Sequence, residues 1–230
     1  MLILAADTSL PFLSVALLRD GELVASMVIE GKSSRNEKLL PAIDWILRES
    51  GTDRKAIDVY AVTRGPGSFT GVRIGLATMQ GMALALSRPL CAISTHEAIA
   101  PRRGRWLIVD DAGRGELYIS LYDNGAAILS PRLAQPDEVA EIAAERLFVR
   151  DLQQERNVAL LCARRAASIV ADGALDRYSD ITPVYVRLAE AEVKLAEKML
   201  TVFTSPSISN GEPSRSSRRR TPSPESYQIA

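Results

Sequence analysis

The chain has 230 residues, with 28 Lys and Arg against 28 Asp and Glu, one His and two Cys. That length suffices for one large or two small domains, and the charge balance excludes a broad basic field while allowing a local basic patch. His96, Cys91 and Cys162 are the only soft ligands, so no zinc site of four His or Cys can be built, and a hydrolytic triad would need His96 as its base.

In chain order, Leu2–Ala6 reads as a buried strand and Leu13–Leu18 as a second. Asp20-Gly21 is a tight hairpin signal into a third strand, Glu22–Ile29. A helix is expected over Arg35–Glu49, opened by the capping box Ser34-Arg35-Asn36-Glu37. Its apolar stripe is Leu39, Leu40, Ile43, Ile46 and Leu47, Trp45 stands outside the stripe, and Pro41 should kink or restart the helix. Then come a strand at Ile57–Thr63, a helix over Thr70–Leu86 and a short strand at Leu90–Ile93. His96, in Ser94-Thr95-His96-Glu97, reads as a surface histidine at a helix start.

The second half repeats this order. Trp106–Asp110 and Glu116–Tyr122 read as strands, and Asn124-Gly125 turns into Ala126–Leu129. A helix at Asp137–Ala144, a strand at Asn157–Cys162 and a helix at Arg164–Asp172 are expected next. Asp7 and Asp111 are 104 residues apart, and so are Gly21 and Gly125. Two β-β-β-α-β-α units at one offset predict an α/β chain with a two-lobed, actin-like (ribonuclease-H-like) fold. The expected lobes are residues 1–103 and 104–200. Residues 201–230, with eight Ser, four Pro and four Arg, read as a disordered tail. Neither a signal peptide nor an apolar run of about 20 residues is present, and the two cysteines do not form a secreted framework, so a cytoplasmic protein is expected.

Two motifs could carry chemistry. Asp7-Thr8-Ser9 ends the first strand; with Asp111 it could frame a cleft for Mg²⁺-bound phosphate, or it could be a turn whose side chains bond the nearby backbone. The turn is favoured, since Leu10-Pro11-Phe12 follows without a glycine to admit phosphate. The stretch Gly65-Pro66-Gly67-Ser68-Phe69-Thr70-Gly71-Val72-Arg73-Ile74-Gly75 follows a strand and opens a helix, but matches neither a Walker A loop nor the dinucleotide fingerprint. Arg73 near a helix N-terminus should meet a carboxylate or phosphate. Gly71, Gly75, Thr78, Met82 and Ala85 share a face of small or flexible residues, which suits either internal packing or a partner interface.

The segments Leu4-Ala5-Ala6-Asp7-Thr8-Ser9, Leu39-Leu40-Pro41, Gly65 through Gly75, Gly115-Glu116-Leu117-Tyr118 and Pro183-Val184-Tyr185-Val186-Arg187 resemble those of TsaB (YeaZ) proteins. The resemblance covers about residues 1–195. It implies the actin-like fold and a non-catalytic dimerisation subunit in tRNA N6-threonylcarbamoyladenosine synthesis. Such a subunit pairs with a TsaD-like catalytic partner, a TsaE-like ATPase completes the assembly, and tRNA is reached through the complex. Carried onto this chain, the interface would involve Leu39, Leu40, Ile43, Trp45, Arg73, Gly75, Met79 and Met82, with a homodimer through the same face as a second option. Asp7, Thr8, Ser9 and Asp111 would mark a vestigial nucleotide cleft, with no metal and no cofactor. Arg35 and Gly113 depart from the family pattern, where His and Arg are frequent. The competing reading is an actin-like ATPase or small-molecule kinase using Asp7 and Asp111 around Mg·ATP. Four Arg against two Glu fall in the tail, which leaves 24 basic and 26 acidic residues in 1–200, so a direct RNA grip is expected only in the tail.

Overall fold

The first strand, β1 (Leu2–Asp7), is apolar at five of its six positions because both of its faces are covered. Leu4 and Ala6 point to one apolar cluster, Ile3 and Ala5 to another, as period-2 alternation requires. The computed structural model describes residues 1–30, 35–144 and 148–186, all within the unit Met1–Ala189. Ser34, the expected cap of the first helix, Arg187 and the tail 201–230 lie outside the described residues.

β1 pairs antiparallel with β2 (Phe12–Arg19), which pairs antiparallel with β3 (Glu22–Glu30). On its other side β1 runs parallel to β4 (Val59–Thr63), and β4 parallel to β5 (Leu90–Ile93), giving the order β3-β2-β1-β4-β5. Between them α1 (Arg35–Glu49) and α2 (Phe69–Ala85) cover one face, sealing Leu39, Ile43, Ile46, Val72 and Met79 against Leu4, Val15 and Val62. Pro41 lies inside α1, which runs on to Glu49 rather than restarting. A short α3 (Thr95–Ile99) follows β5.

The second sheet repeats the scheme. β6 (Arg105–Gly113), β7 (Glu116–Asp123) and β8 (Ala126–Ala134) form an antiparallel meander, and β9 (Phe148–Asp151) runs parallel to β6, in the order β8-β7-β6-β9. α4 (Pro136–Ala143) packs on it through Val139 and Ile142. The two hairpin turns match in backbone form: Asp20 and Gly21, and Asn124 and Gly125, all have positive φ, as a type I′ turn demands.

One element departs from the sequence reading. The expected strand Asn157–Cys162 is the first half of a helix, α5 (Val158–Ala171), and the parallel strand of this half is β9. Asn157 caps α5 by accepting from the Leu160 N–H, and the Ser14 hydroxyl on β2 accepts from the Ala159 N–H at 2.9 Å. α5 lays Ala159, Cys162, Ala163 and Ala166 on Ala5, Ala16 and Ala61, so small residues on both sides allow close approach. This helix, from the second half of the chain, therefore covers the face of the first sheet opposite α1 and α2.

Candidate functional site

The end of β1 is where the distinctive sequence segments meet. Asp7 is buried, and its Oδ1 accepts from the Ser9 N–H at 3.2 Å, the Ser9 hydroxyl at 2.6 Å and the Thr63 hydroxyl. Burial is the main influence on its carboxyl, pushing its pKa above the ordinary value against these donors. The Thr8 hydroxyl donates to the Gly71 carbonyl at 2.6 Å, and the Thr95 hydroxyl donates to the Ser9 hydroxyl at 3.1 Å. The turn reading is the one observed.

The glycines of the Gly65–Gly75 stretch are shaped to this turn. A Cβ at Gly67 would stand 2.5 Å from the Ser9 carbonyl oxygen, and φ there is +145°. The same carbonyl accepts from the Ser68 N–H at 2.7 Å. A Cβ at Gly75, one helical turn beyond Gly71, would stand 2.5 Å from Thr8 Oγ1. Ser68 caps α2 by accepting from the Gly71 N–H at 3.2 Å, and the Gly65–Pro66 peptide is cis. Gly75 thus serves internal packing, and Gly71 is buried with its carbonyl bonded to Thr8.

A third segment closes over the motif. The Val184 N–H donates to the Arg64 carbonyl at 2.7 Å, and Arg64 reaches the Thr182 carbonyl and Asp180. Among the described residues, the partners of Arg73 are aromatic rather than acidic. Its Nε donates to the Tyr185 hydroxyl at 2.7 Å, and its guanidinium carbon lies 3.8 Å from the centre of the Phe69 ring. Two aromatic faces stabilise the cation where the helix dipole does not. Sequence order hid this contact, because Tyr185 comes from 112 residues further along.

A cleft of about 400 Å³ opens beside this turn, lined by Ser9, Pro11, Gly67, Ser68, Asp111 and Tyr118, among others. Ser9 and Asp111 both line it. The Asp7 carboxylate is engaged behind Ser9, and Thr8 is turned to Gly71. Asp111 accepts from the Gly113 N–H at 2.7 Å. His96 needs correction: it is fully buried rather than at the surface. Its Nδ1 lies 2.7 Å from the Ser120 hydroxyl, and desolvation lowers its pKa to about 3. Both cysteines are buried in the α5 layer, and burial pushes Cys91 up to about 12. No cluster of three His, Cys, Asp or Glu that could hold a metal occurs among the described residues.

The interface set divides. Leu39, Ile43 and Met79 are fully buried in the chain's own core, and Gly75 lies against Thr8, so in this fold all four are packing residues that a partner cannot reach. Leu40, Trp45 and Arg73 are exposed, and Met82 is half-buried. The outer face of α2 also presents Ala77, Gly81 and Leu84, at helical spacing from Arg73. Leu84 is 71% exposed and Trp45 42%. Ala77, Gly81 and Leu84 escaped the sequence reading. The available signal was an uncapped glycine inside a helix, a residue that costs about 1 kcal/mol there and so asks for a reason.

Strand order, duplicated meander-and-crossover units and a cleft beside the first strand end define a two-lobed protein of the actin-like class. Comparison with known proteins narrows this. Residues 29–165 match the family model described as TsaD: tRNA N6-adenosine threonylcarbamoyltransferase. The chain is 35% identical over 167 residues to the tRNA threonylcarbamoyladenosine biosynthesis protein TsaB of Escherichia coli, covering 65% of this chain and 71% of that one. It is 36% identical over 126 residues to the Bacillus subtilis protein of the same name, covering 53% of this chain and 55% of that one. The solved structure of YeaZ from Pseudomonas aeruginosa superposes with a TM-score of 0.65 at 30% identity, over 80% of this chain and 99% of that one. The chain belongs to the TsaB (YeaZ) family.

Proposed function

We propose that the protein is a non-catalytic subunit of the machinery that makes tRNA N6-threonylcarbamoyladenosine, and that it pairs with a TsaD-like catalytic subunit through the outer faces of α1 and α2. The relatives' names supply the pathway. The observation that carries the subunit role is the pattern of exposure on those helices. Both cover the same face of the first sheet, so their outer faces point the same way; α1 presents Leu40 and Trp45, and α2 presents Leu84 with the small Ala77 and Gly81. An exposed aromatic and aliphatic set flanking small residues suits a helix-to-helix contact with hot-spot anchors.

The chemistry-bearing groups point the same way. The Asp7 carboxylate accepts three donors of its own fold, and His96 and the two thiols are inside. The rival reading, a Mg·ATP-using enzyme, needs Asp7 in the cleft, where Ser9 screens it. A TsaE-like ATPase as third component, a cytoplasmic setting and lobe boundaries at 103/104 and 200 belong to the same proposal. No helix among the described residues is long and apolar enough to cross a membrane.

The test is co-purification of the full chain with a TsaD-like protein, repeated with Leu84→Glu. A complex with the wild type and its loss with Leu84→Glu, at an unchanged unfolding midpoint, support the proposal. An unchanged complex with Leu84→Glu removes the interface assignment. Calorimetry with Mg·ATP checks the rival, and heat of binding followed by turnover would favour it.

A further inference from the structure

Seven arginines gather around the connection from α3 to β6 and the exposed side of α5. The run Ala98–Leu107 carries three arginines and no carboxylate, and α5 carries two and no carboxylate. This is local, because residues 1–200 together hold more acids than bases. Two adjoining hollows occupy the region. One, of about 270 Å³, is lined by Arg102, Arg150, Arg164 and Arg165. The other, of about 350 Å³, shares Arg102 and Arg165 and adds Arg177, with Glu97 and Asp172.

The charges are held in place. Arg165 is only 8% exposed, and its Nη2 donates to the carbonyls of Glu97 at 2.9 Å and Ala100 at 2.6 Å. Its hydrogen bonds among the described residues run through Nη2 alone, and the side chain borders both hollows. Arg102 pairs with Asp172 and Arg150 with Glu155. Arg103, Arg105, Arg164 and Arg177 make no ion pair among the described residues, so the surface keeps an excess of positive charge.

An aromatic margin adjoins it. Trp106 on β6 and Phe148 on β9 are partners in register and stack with ring centres 4.9 Å apart. The Arg103-Gly104-Arg105 loop lies against them, since a Cβ at Gly104 would stand within 3.6 Å of both rings. Phe148 and Arg150 are two residues apart on one strand, hence on one face, and Phe148 is 60% exposed. Guanidinium groups that meet phosphates, beside an exposed ring on which a base can stack, form the recognition chemistry of unpaired RNA. An acidic protein would use the arginines and leave the aromatic pair idle.

We propose that this arginine surface with its Trp106–Phe148 margin binds an unpaired RNA segment directly, the guanidinium groups on phosphates and Phe148 under a base. The choice of RNA rests on the tRNA-modification reading, but the site lies on the α5 side of the first sheet, opposite the α1–α2 face.

The experiment is fluorescence anisotropy of a labelled single-stranded oligoribonucleotide with the full chain alone, from 50 to 200 mM salt. Three proteins are compared: wild type, the double variant Arg103→Glu/Arg164→Glu, and Phe148→Ala, each checked for an unchanged unfolding midpoint. The double variant should bind at least tenfold more weakly and lose about 1.4 from the slope of log K against log salt, at about 0.7 per phosphate contact. Phe148→Ala should weaken binding about fivefold or more with the slope unchanged. The variants keep the tail, so an unaffected double variant would assign RNA binding to Arg218–Arg220 and overturn the inference. Absence of wild-type binding at 100 µM chain, or polyglutamate competing as well as RNA, would also overturn it. Failure of the chain to associate with a TsaD-like protein, with these RNA results intact, would remove the proposed function and leave this surface standing.

Discussion

Two glycines of α2, six residues apart, should respond to alanine in opposite directions. At Gly81 a Cβ meets nothing within 4 Å, so Gly81→Ala only replaces the poorest ordinary helix former with the best one. That is worth up to about 1 kcal/mol of stability. At Gly75 the same gain is available, but the new Cβ falls 2.5 Å from Thr8 Oγ1 and 3.4 Å from Val62 Cγ2. Overpacking of this kind costs about 1–3 kcal/mol, and displacing Thr8 sacrifices its hydrogen bond to the Gly71 carbonyl, about 1 kcal/mol more. The net is a loss of about 2 kcal/mol for Gly75→Ala. In a domain of this size each kcal/mol moves Tm by about 2–4 °C. Thermal unfolding should therefore show Gly81→Ala raised by about 2–4 °C and Gly75→Ala lowered by about 4–8 °C. Thr8→Ala removes the oxygen in the way and should rescue Gly75→Ala, giving a favourable coupling of at least about 0.5 kcal/mol in the double-mutant cycle. Equal Tm gains at the two glycines, or additivity of Thr8→Ala with Gly75→Ala, would refute the view that the motif glycines are spent on the Thr8–Ser9 turn.

Other consequences can be measured directly. His96 has a folded pKa of about 3 against an unfolded value near 6.5, so between those limits the unfolded chain binds the extra proton and stability falls as pH falls. Relative to His96→Gln, the wild type should lose about 2 kcal/mol on going from pH 7 to pH 5 by denaturant titration; a pH-independent difference would contradict the burial of His96. Tyr185→Phe removes one exposed hydrogen bond to Arg73 and should cost only about 0.5–1.5 kcal/mol, leaving the Phe69 contact in place. Thr63→Val takes a donor from the buried Asp7 carboxylate and should cost more, about 1–3 kcal/mol at pH 7, as read from urea midpoints. Cys91 and Cys162 should resist a thiol reagent in the native protein and react together in denaturant, because desolvation disfavours both thiolates.

The sequence revealed most where local chemistry leaves one choice. Asp20-Gly21 and Asn124-Gly125 both need positive φ, which few residues tolerate, and the strands around them were legible for that reason. It misled where a signal was ambiguous in kind. The run Val158–Cys162 is apolar and short, and buried strands and buried helices look alike over five residues. Asn157, which caps that helix, was the available clue. The site was half legible. The small-residue face holding Gly71 and Gly75 suited either internal packing or a partner, and did not show that Gly67 and Gly75 fit the turn at Thr8 and Ser9, some 60 residues earlier. The apolar stripe of α1 was legible as a stripe, but Leu39 and Ile43 on it face the sheet, whereas Leu40 on it and Trp45 outside it reach the surface. His96 sits in a polar tetrapeptide and is nonetheless sealed against Ser120 of the second sheet, a contact no local pattern encodes.

The most direct test of the proposed role is reconstituted threonylcarbamoyl transfer to tRNA, with a TsaD-like subunit and a TsaE-like ATPase, with and without this chain. The Gly81→Arg variant is the key control, because the position is open in the free protein and lies on the outer face of α2. The account predicts modification only when wild-type chain and TsaD-like subunit are both present, with loss on Gly81→Arg at unimpaired stability. Transfer at full rate without this chain, or by this chain alone, would contradict it.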